Sequence, residues 1–410
     1  MLSSFRVLDL TDENGFLCGK MLADMGADAI KVERPGGDPS RRLGPFYHDT
    51  PHPEKSLFWF AFNANKRGIT LDIETRDGQA LFKKLAVAAD FVVESFPPGY
   101  MDDLGLGYAA LSAINRRIIL TSISHFGASG PYRYYNGSDL VDVALGGLMY
   151  VCGDADRAPL RIAFPQAALH GSAEAAVGTL VAHYHRETTG QGQHVDVSIH
   201  ESQVTTGLDL QLHWSLNRRI VRRAGPFRHR PDTSTVTRYS WPCKDGYVTW
   251  ALYGGAGASL VKKLMDWVES EGMSDDFLKA QKWAALDMSK YTQEMLDRVA
   301  QPMTRFFMSH TKAELMAQAI KRGVPVYPVF TAKDILQDRQ LATRDFWIEV
   351  EHPELGDTIT YPGSFVKASQ TPCSVRRRAP LIGEHNLEVY EGDLGLSRQE
   401  LVILKQAGVV

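Results

Sequence analysis

Apolar residues in the first half of the chain come in short runs, separated by stretches where they recur every third or fourth position. Residues 5–10, 29–33, 68–72, 91–95, 118–122 and 194–199 read as strands. Residues 19–25 and 76–88 read as helices lying between them. Strands that alternate with helices predict βαβ crossovers and a mainly parallel sheet. Two longer helices are expected over 139–151 and 167–187, and another from the last strand to about residue 216. The helix at 167 carries Gly171, Ser172, Ala173, Ala175, Ala176 and Gly178 in its first half. Such small residues let another backbone come close.

The pattern changes near residue 218. Arg218, Arg219, Arg222, Arg223, Arg228 and Arg230 crowd together with Gly225 and Pro226, which reads as a linker. Residues 237–243 and 247–252 then flank Lys244-Asp245-Gly246, an Asp-Gly turn that predicts a hairpin. Helical patterns fill 258–318, and short strands follow at 347–351 and 358–361. Ser397 is a suitable N-cap for a last helix reaching about residue 406. There are no repeats.

Composition narrows the function classes. The hydrophobic share of 44% and charged share of 23% are those of an ordinary globular protein. A net charge of -3 gives no global field for nucleic acid or an anionic membrane, so an anionic ligand must be held locally. Cys18, Cys152, Cys243 and Cys373 form no CxxC, which argues against a zinc knuckle or dithiol site. A reducing, cytoplasmic setting is expected. Residues 1–9 lack the features of a secretory signal. No apolar run approaches the length needed to span a bilayer, so no membrane helix is expected. The sequon Asn136-Gly137-Ser138 carries no meaning in that setting.

The candidates for chemistry are few. Gly105-Leu106-Gly107 starts a GxG without a third glycine or a directly preceding strand, so it reads as a loop before a helix. No Walker A, HExxH or GxSxG occurs. Gly254, Gly255 and Gly257 follow a strand and suit either a loop over an anion or an ordinary turn. The arginine cluster suits phosphates, a partner's carboxylates or a solvated face.

Several phrases in order along the chain resemble the family III CoA-transferases. They are Arg6-Val-Leu-Asp-Leu-Thr11, Leu22-Ala-Asp-Met-Gly-Ala-Asp28, Ile30-Lys-Val-Glu-Arg-Pro-Gly-Gly-Asp38 and Asn63-Ala-Asn-Lys-Arg67. Further along come Phe96-Pro-Pro-Gly99, Arg186-Glu-Thr-Thr-Gly-Gln-Gly-Gln193 and Ala379-Pro-Leu-Ile-Gly-Glu-His385. The resemblance implies an α/β fold: a large Rossmann-like parallel-sheet domain built from both chain ends, a smaller α+β middle domain, and an interlocked dimer. The division expected is 1–217 for the large domain, 218–236 as linker, 237–335 for the small domain and 336–410 returning to the large one.

The resemblance also implies a reaction. A buried aspartate attacks the donor acyl-CoA, and anhydride and aspartyl-CoA thioester intermediates pass CoA to an acid. A carboxylate is a nucleophile at neutral pH without needing a base. Coenzyme A and acyl-CoA enter as substrates, with no covalently bound cofactor and no metal. The position matching the aspartate is Ala168, and Gln166 to His170 contains no acid. The nearest acids along the chain are Glu174 and Asp156. His170 reads as a structural residue or a base. The Gly-His-Asp phrase of racemase members stands here as Gly137-Ser138-Asp139, without the histidine.

The expectation is therefore the non-catalytic subunit of a heteromer whose homologous partner carries the aspartate. The chain resembles the aspartate-lacking subunit of the succinyl-CoA:benzylsuccinate transferase of anaerobic aromatic degradation, including at Phe164-Pro-Gln-Ala167. Alternatives are a homomeric transferase or isomerase using another residue, and a non-enzymatic acyl-CoA-binding assembly protein. For CoA, the resemblance nominates Arg34, Lys66 and Phe96, with Ser95 replacing an asparagine of the family and Gly254, Gly255 and Gly257 as a mobile loop. Asn14 is a possible hydrogen-bond donor in the N-terminal loop.

Overall fold

Six short strands form one sheet: β1 (Arg6–Leu10), β2 (Asp28–Glu33), β3 (Arg67–Thr70), β4 (Phe91–Glu94), β5 (Ile119–Ser124) and β6 (His194–Ser198). All neighbours pair in parallel, in the order β3-β2-β1-β4-β5-β6. The computed structural model describes residues 1–229 and 235–410. β1 is central and buried, with Val7 and Leu8 fully covered. Its polar Asp9 is equally covered, as is Lys31 of β2, so burial on this sheet is not confined to apolar side chains. The order reverses between β1 and β4, and in such sheets the crevice beyond the strand ends at that point is where ligands bind.

The chain separates into two units. The first comprises Met1–Leu148, Ile162–Asp209 and Arg339–Val410, and the second comprises Met149–Arg161 and Leu210–Asp338. The C-terminal segment completes the core of the first, where Tyr390, Val409 and Val410 pack with Ile69, Leu71 and Phe82. Strands Trp347–His352 and Asp357–Pro362 pair antiparallel within it. The last helix, Arg398–Gln406, begins with a capping box between Ser397 and Glu400.

In the second unit, Ser240–Cys243 and Gly246–Thr249 form the hairpin that the Asp-Gly turn predicts, and Tyr327–Pro328 adds a third strand. Helices Ala258–Ser270 and Gln293–Met308 bury Trp267, Phe306 and Phe307 against Trp241 and Trp250. Residues 149–161 join this unit through hydrogen bonds to their backbone: Gly225 N donates to the Gly153 carbonyl at 2.8 Å, and the Arg223 side chain donates through Nε to the Arg157 carbonyl at 2.9 Å.

Two helical expectations need correction, and one helix is unexpected. The helix at 139 ends at Leu145 and restarts as Leu148–Val151, because Gly147 adopts φ +86°. The helix after β6 divides at Gly207 into Ile199–Thr206 and Leu208–Asn217. A helix at Leu57–Asn63 has no periodic signature, because Leu-Phe-Trp-Phe-Ala-Phe-Asn is apolar nearly all round. Ser56 caps it by accepting from Trp59 N at 3.1 Å.

Candidate functional site

The loops after β1 and β4 meet at the strand-order reversal. Asp12 N donates to Ser95 Oγ at 2.8 Å, and Ser95 Oγ donates to Asp12 Oδ1 at 2.7 Å. A cavity of about 400 Å³ opens beyond them, lined by Arg34, Asp72, Glu74, Ser95, Phe96 and Tyr100 among others. Arg34 is exposed and has no ion pair among the described residues. Phe96 is half-buried and lies 4.7 Å from the Tyr100 ring, centroid to centroid. Tyr100 donates to Glu74 at 2.8 Å, and burial together with that bond pushes its hydroxyl up to about 12. The cavity thus offers one cation and a two-ring apolar wall.

Its lining is otherwise acidic, with Asp12, Glu33, Asp38, Asp72 and Glu74, and Glu94 lies beside its Ser95 in sequence. Glu94 ends β4 and is buried; that burial pushes its carboxyl up to about 7, against hydrogen bonds from Ser122 and Phe96 N. Asp12 is also raised, by burial and then by the neighbouring Glu13.

Lys66 stands elsewhere. It is fully buried, its ammonium 2.7 Å from Asp9 Oδ2, and it donates to the Phe16 carbonyl at 3.0 Å and to Asn63 Oδ1 at 2.9 Å. Burial pushes the Asp9 carboxyl up, but the Lys66 and Lys31 cations outweigh it and hold Asp9 below its ordinary value. Lys66 is a core cation whose charge is met inside the protein, and it presents nothing to a phosphate.

The long helix Ala167–Thr189 starts where the resemblance places the nucleophile. Gln166 is its N-cap residue, and Ala168 is half-buried in the first turn. Asp139 Oδ1 accepts from Gln166 N at 2.6 Å and Ala167 N at 2.9 Å. A carboxylate therefore does sit at this helix start, but as a cap supplied from another helix. His170 Nδ1 lies 3.0 Å from Thr206 Oγ1. Glu174 is exposed and accepts from Ser202 Oγ at 2.6 Å, while Asp156 is exposed and belongs to the second unit. Ser172 Oγ donates to the Asn14 carbonyl at 2.9 Å, tying the helix to the loop after β1. Asn14 Nδ2 donates to Asp12 at 3.3 Å.

Gly254, Gly255 and Gly257 lie in the second unit, at the turn before Ala258–Ser270. Gly255 has φ +56°, and a Cβ on Gly254 would come within 2.9 Å of the Leu286 carbonyl oxygen. Within the arginine cluster, Arg223 donates to the carbonyls of Asp154 and Arg157 and so acts structurally. Arg218 lies over the Trp214 ring, and Arg230 falls outside the described residues.

Sequence reading missed Tyr100 and His125, and it noted Asp139 only within the Gly137-Ser138-Asp139 phrase, without its role at the helix start. No periodicity marks them. The available signal was position: His125 directly follows the end of a parallel strand, where such folds place functional groups. Among the described residues no helix is long and apolar enough to cross a membrane, and no cluster of His, Cys, Asp or Glu is arranged for a metal.

Comparison with known proteins supplies the frame for this geometry. The model of CoA-transferase family III matches residues 2–386. The chain is 36% identical over 395 residues to subunit BbsE of succinyl-CoA:(R)-benzylsuccinate CoA-transferase from Thauera aromatica, covering 94% of this chain and 93% of that one. It is 32% identical over 411 residues to succinyl-CoA–D-citramalate CoA-transferase from Chloroflexus aurantiacus, covering 100% of this chain and 98% of the relative. A CAIB/BAIF family protein from Brucella suis superposes with a TM-score of 0.80 at 27% identity, covering 95% of this chain and 98% of that one.

Proposed function

The chain belongs to CoA-transferase family III, and from that premise we propose that it is the subunit of a heteromeric CoA-transferase that does not carry the nucleophile. The enzyme moves CoA from an acyl-CoA, such as succinyl-CoA, to a carboxylic acid, benzylsuccinate or a similar aromatic acid. A homologous partner, interlocked with this chain, brings the aspartate that attacks the thioester. The observation that carries this reading is the start of helix Ala167–Thr189. Residues 166–170 contain no acid, and the N–H groups of Gln166 and Ala167 are taken by Asp139. A relative named as one subunit of such an enzyme supports the heteromer and the substrate class.

CoA lies in the cavity at the ends of β1 and β4. Arg34 meets a phosphate as a charge-assisted donor, and Phe96 with Tyr100 covers apolar parts of CoA. Ser95 is turned to Asp12, so it secures the loops rather than reaching for CoA.

A second reading is favoured by one observation. Asp139 is a carboxylate bonded directly to the 166–167 backbone, and a homomeric enzyme would use it as the nucleophile. Transfer assays on the chain alone and co-expressed with a paralogue that has aspartate at the position of Ala168 separate the two. Activity only with the paralogue supports the heteromer. Full activity of the chain alone, abolished by Asp139→Asn, supports the second reading and overturns the first.

A further inference from the structure

A second cavity, of about 280 Å³, opens in the first unit where the ends of β1, β4 and β5 meet. It shares Asp12, Ser95 and Phe96 with the first and adds His125, Arg133, Phe126, Tyr134 and Tyr135. Its size stands at the low end for small-molecule pockets, which suits a small acid rather than a whole CoA.

His125 is built into this wall. Its Nδ1 lies 2.7 Å from Asp142 Oδ2, and Asp142 is 1% exposed. The His125 carbonyl accepts from His200 N at 2.8 Å, which fixes the backbone. Gly137 makes room for the ring: a Cβ there would lie 2.1 Å from His125 Cγ. An ionised carboxylate only accepts, so Nδ1 donates to Asp142, and Nε2 donates as well only when the ring carries a second proton. The other Asp142 oxygen, Oδ1, is buried without a hydrogen-bond partner, and His125 is the ion-pair partner of Asp142 among the described residues. A buried carboxylate held this way orients the imidazole.

The remaining walls are aromatic with one cation. Phe126 and Tyr135 stand edge-to-face at 84°, with centroids 6.4 Å apart. Arg133 lies over the Tyr134 ring at 4.1 Å. Rings in this arrangement accept another ring edge-on or offset. The one acid in the wall, Asp12, is held above its ordinary value by burial, which softens its opposition to an anion.

We infer that this cavity receives the acid substrate itself, an aryl-substituted carboxylate. His125, as an imidazolium donating Nδ1–H to Asp142 and Nε2–H outward, meets its carboxylate together with Arg133, and Phe126, Tyr134 and Tyr135 cover its aryl group. The inference rests on the CoA-transfer reading above and gives the acid a site and the residues that recognise it. It assigns acid recognition to a chain that lacks the nucleophile, and it makes Asp142 a positioning residue acting through His125.

The test is calorimetry on the full chain, alone and with its partner subunit, using (R)-benzylsuccinate, its dimethyl ester, succinate and CoA as probes. Benzylsuccinate binds more tightly than succinate. His125→Asn weakens benzylsuccinate about tenfold or more and leaves the ester and CoA unchanged, a pattern that a merely structural loss would not give. Phe126→Ala reduces benzylsuccinate affinity toward that of succinate. Should His125→Asn fail to fold, Asp142→Asn serves instead and weakens only the free acids. Equal binding of the two acids, equal loss of acid and ester, or no acid binding to either preparation overturns the inference. None of these results touches the proposed function, which is decided by transfer activity with and without the partner.

Discussion

Asp139 Oδ1 accepts the backbone N–H of Gln166 at 2.6 Å, across 27 positions of sequence. The bond places a full negative charge against the positive end of the long helix. Asp139→Ala should cost about 1 kcal/mol of stability, as a lost N-cap does. The thermal midpoint of the purified chain checks this. An unchanged midpoint would mean that water caps the helix equally well.

Restoring the acid at the expected position should not restore the reaction. In Ala168→Asp the new carboxylate enters the first helical turn beside the Asp139 carboxylate. Two like charges that close disfavour each other's ionised form. The expected outcome is no transfer by the variant alone and no gain when it is paired with the partner. Robust turnover by the variant alone would show an otherwise intact site.

Lys66→Met should be among the most damaging single changes in the first unit. It leaves Asp9 buried without its cation, a situation that costs about 3–5 kcal/mol. Adding Asp9→Asn should recover part of the loss, because the orphaned charge goes with it. Urea unfolding of both variants measures the recovery. A weakened CoA affinity with normal stability would instead place Lys66 at the ligand.

Much of this fold is legible in the sequence, and Lys66 shows where legibility stops. All six strands of the parallel sheet lie within two residues of their expected bounds, because each centres on a short apolar run between helical or turn sequence. The Asp245-Gly246 hairpin and the Ser397 cap also read directly from local chemistry. Lys66 has the composition of a surface cation, and only the tertiary structure brings Asp9 to it. The same holds for Asp139 and Asp142: each acts on a partner 17 or more positions away, through contacts that no local pattern encodes. The absence of an acid over 166–170 was readable at once. The carboxylate that occupies the helix start was not.

Arg34→Ala should lower CoA affinity about tenfold or more, the usual scale for a charge-assisted bond. Phe96→Ala should lower it by less and leave the salt dependence intact, because the ring contributes cover and not charge. Titration of CoA into the chain at two ionic strengths reads both effects. No response to Arg34→Ala would move the phosphates away from this cavity.

Glu94 gives a pH signature. Its folded value is raised from 4.5 to about 7 by burial, so the protonated form stabilises the fold. That contribution is complete below the unfolded value and is lost as pH rises through about 7. The thermal midpoint should therefore fall between pH 5 and pH 8 by more in the wild type than in Glu94→Gln, reflecting a stability difference of up to about a few kcal/mol. Parallel profiles for the two proteins would refute the assignment.

The pair of bonds between Asp12 and Ser95 has a thermodynamic consequence. Loops that close only around a ligand draw their ordering entropy from its binding energy. Here the segments after β1 and β4 are fastened to each other across the strand-order reversal by the protein's own side chains. A ligand entering either cavity meets a wall already set. Ser95→Ala would loosen that wall and show itself as a larger entropic penalty on binding, with little change in the contacts formed.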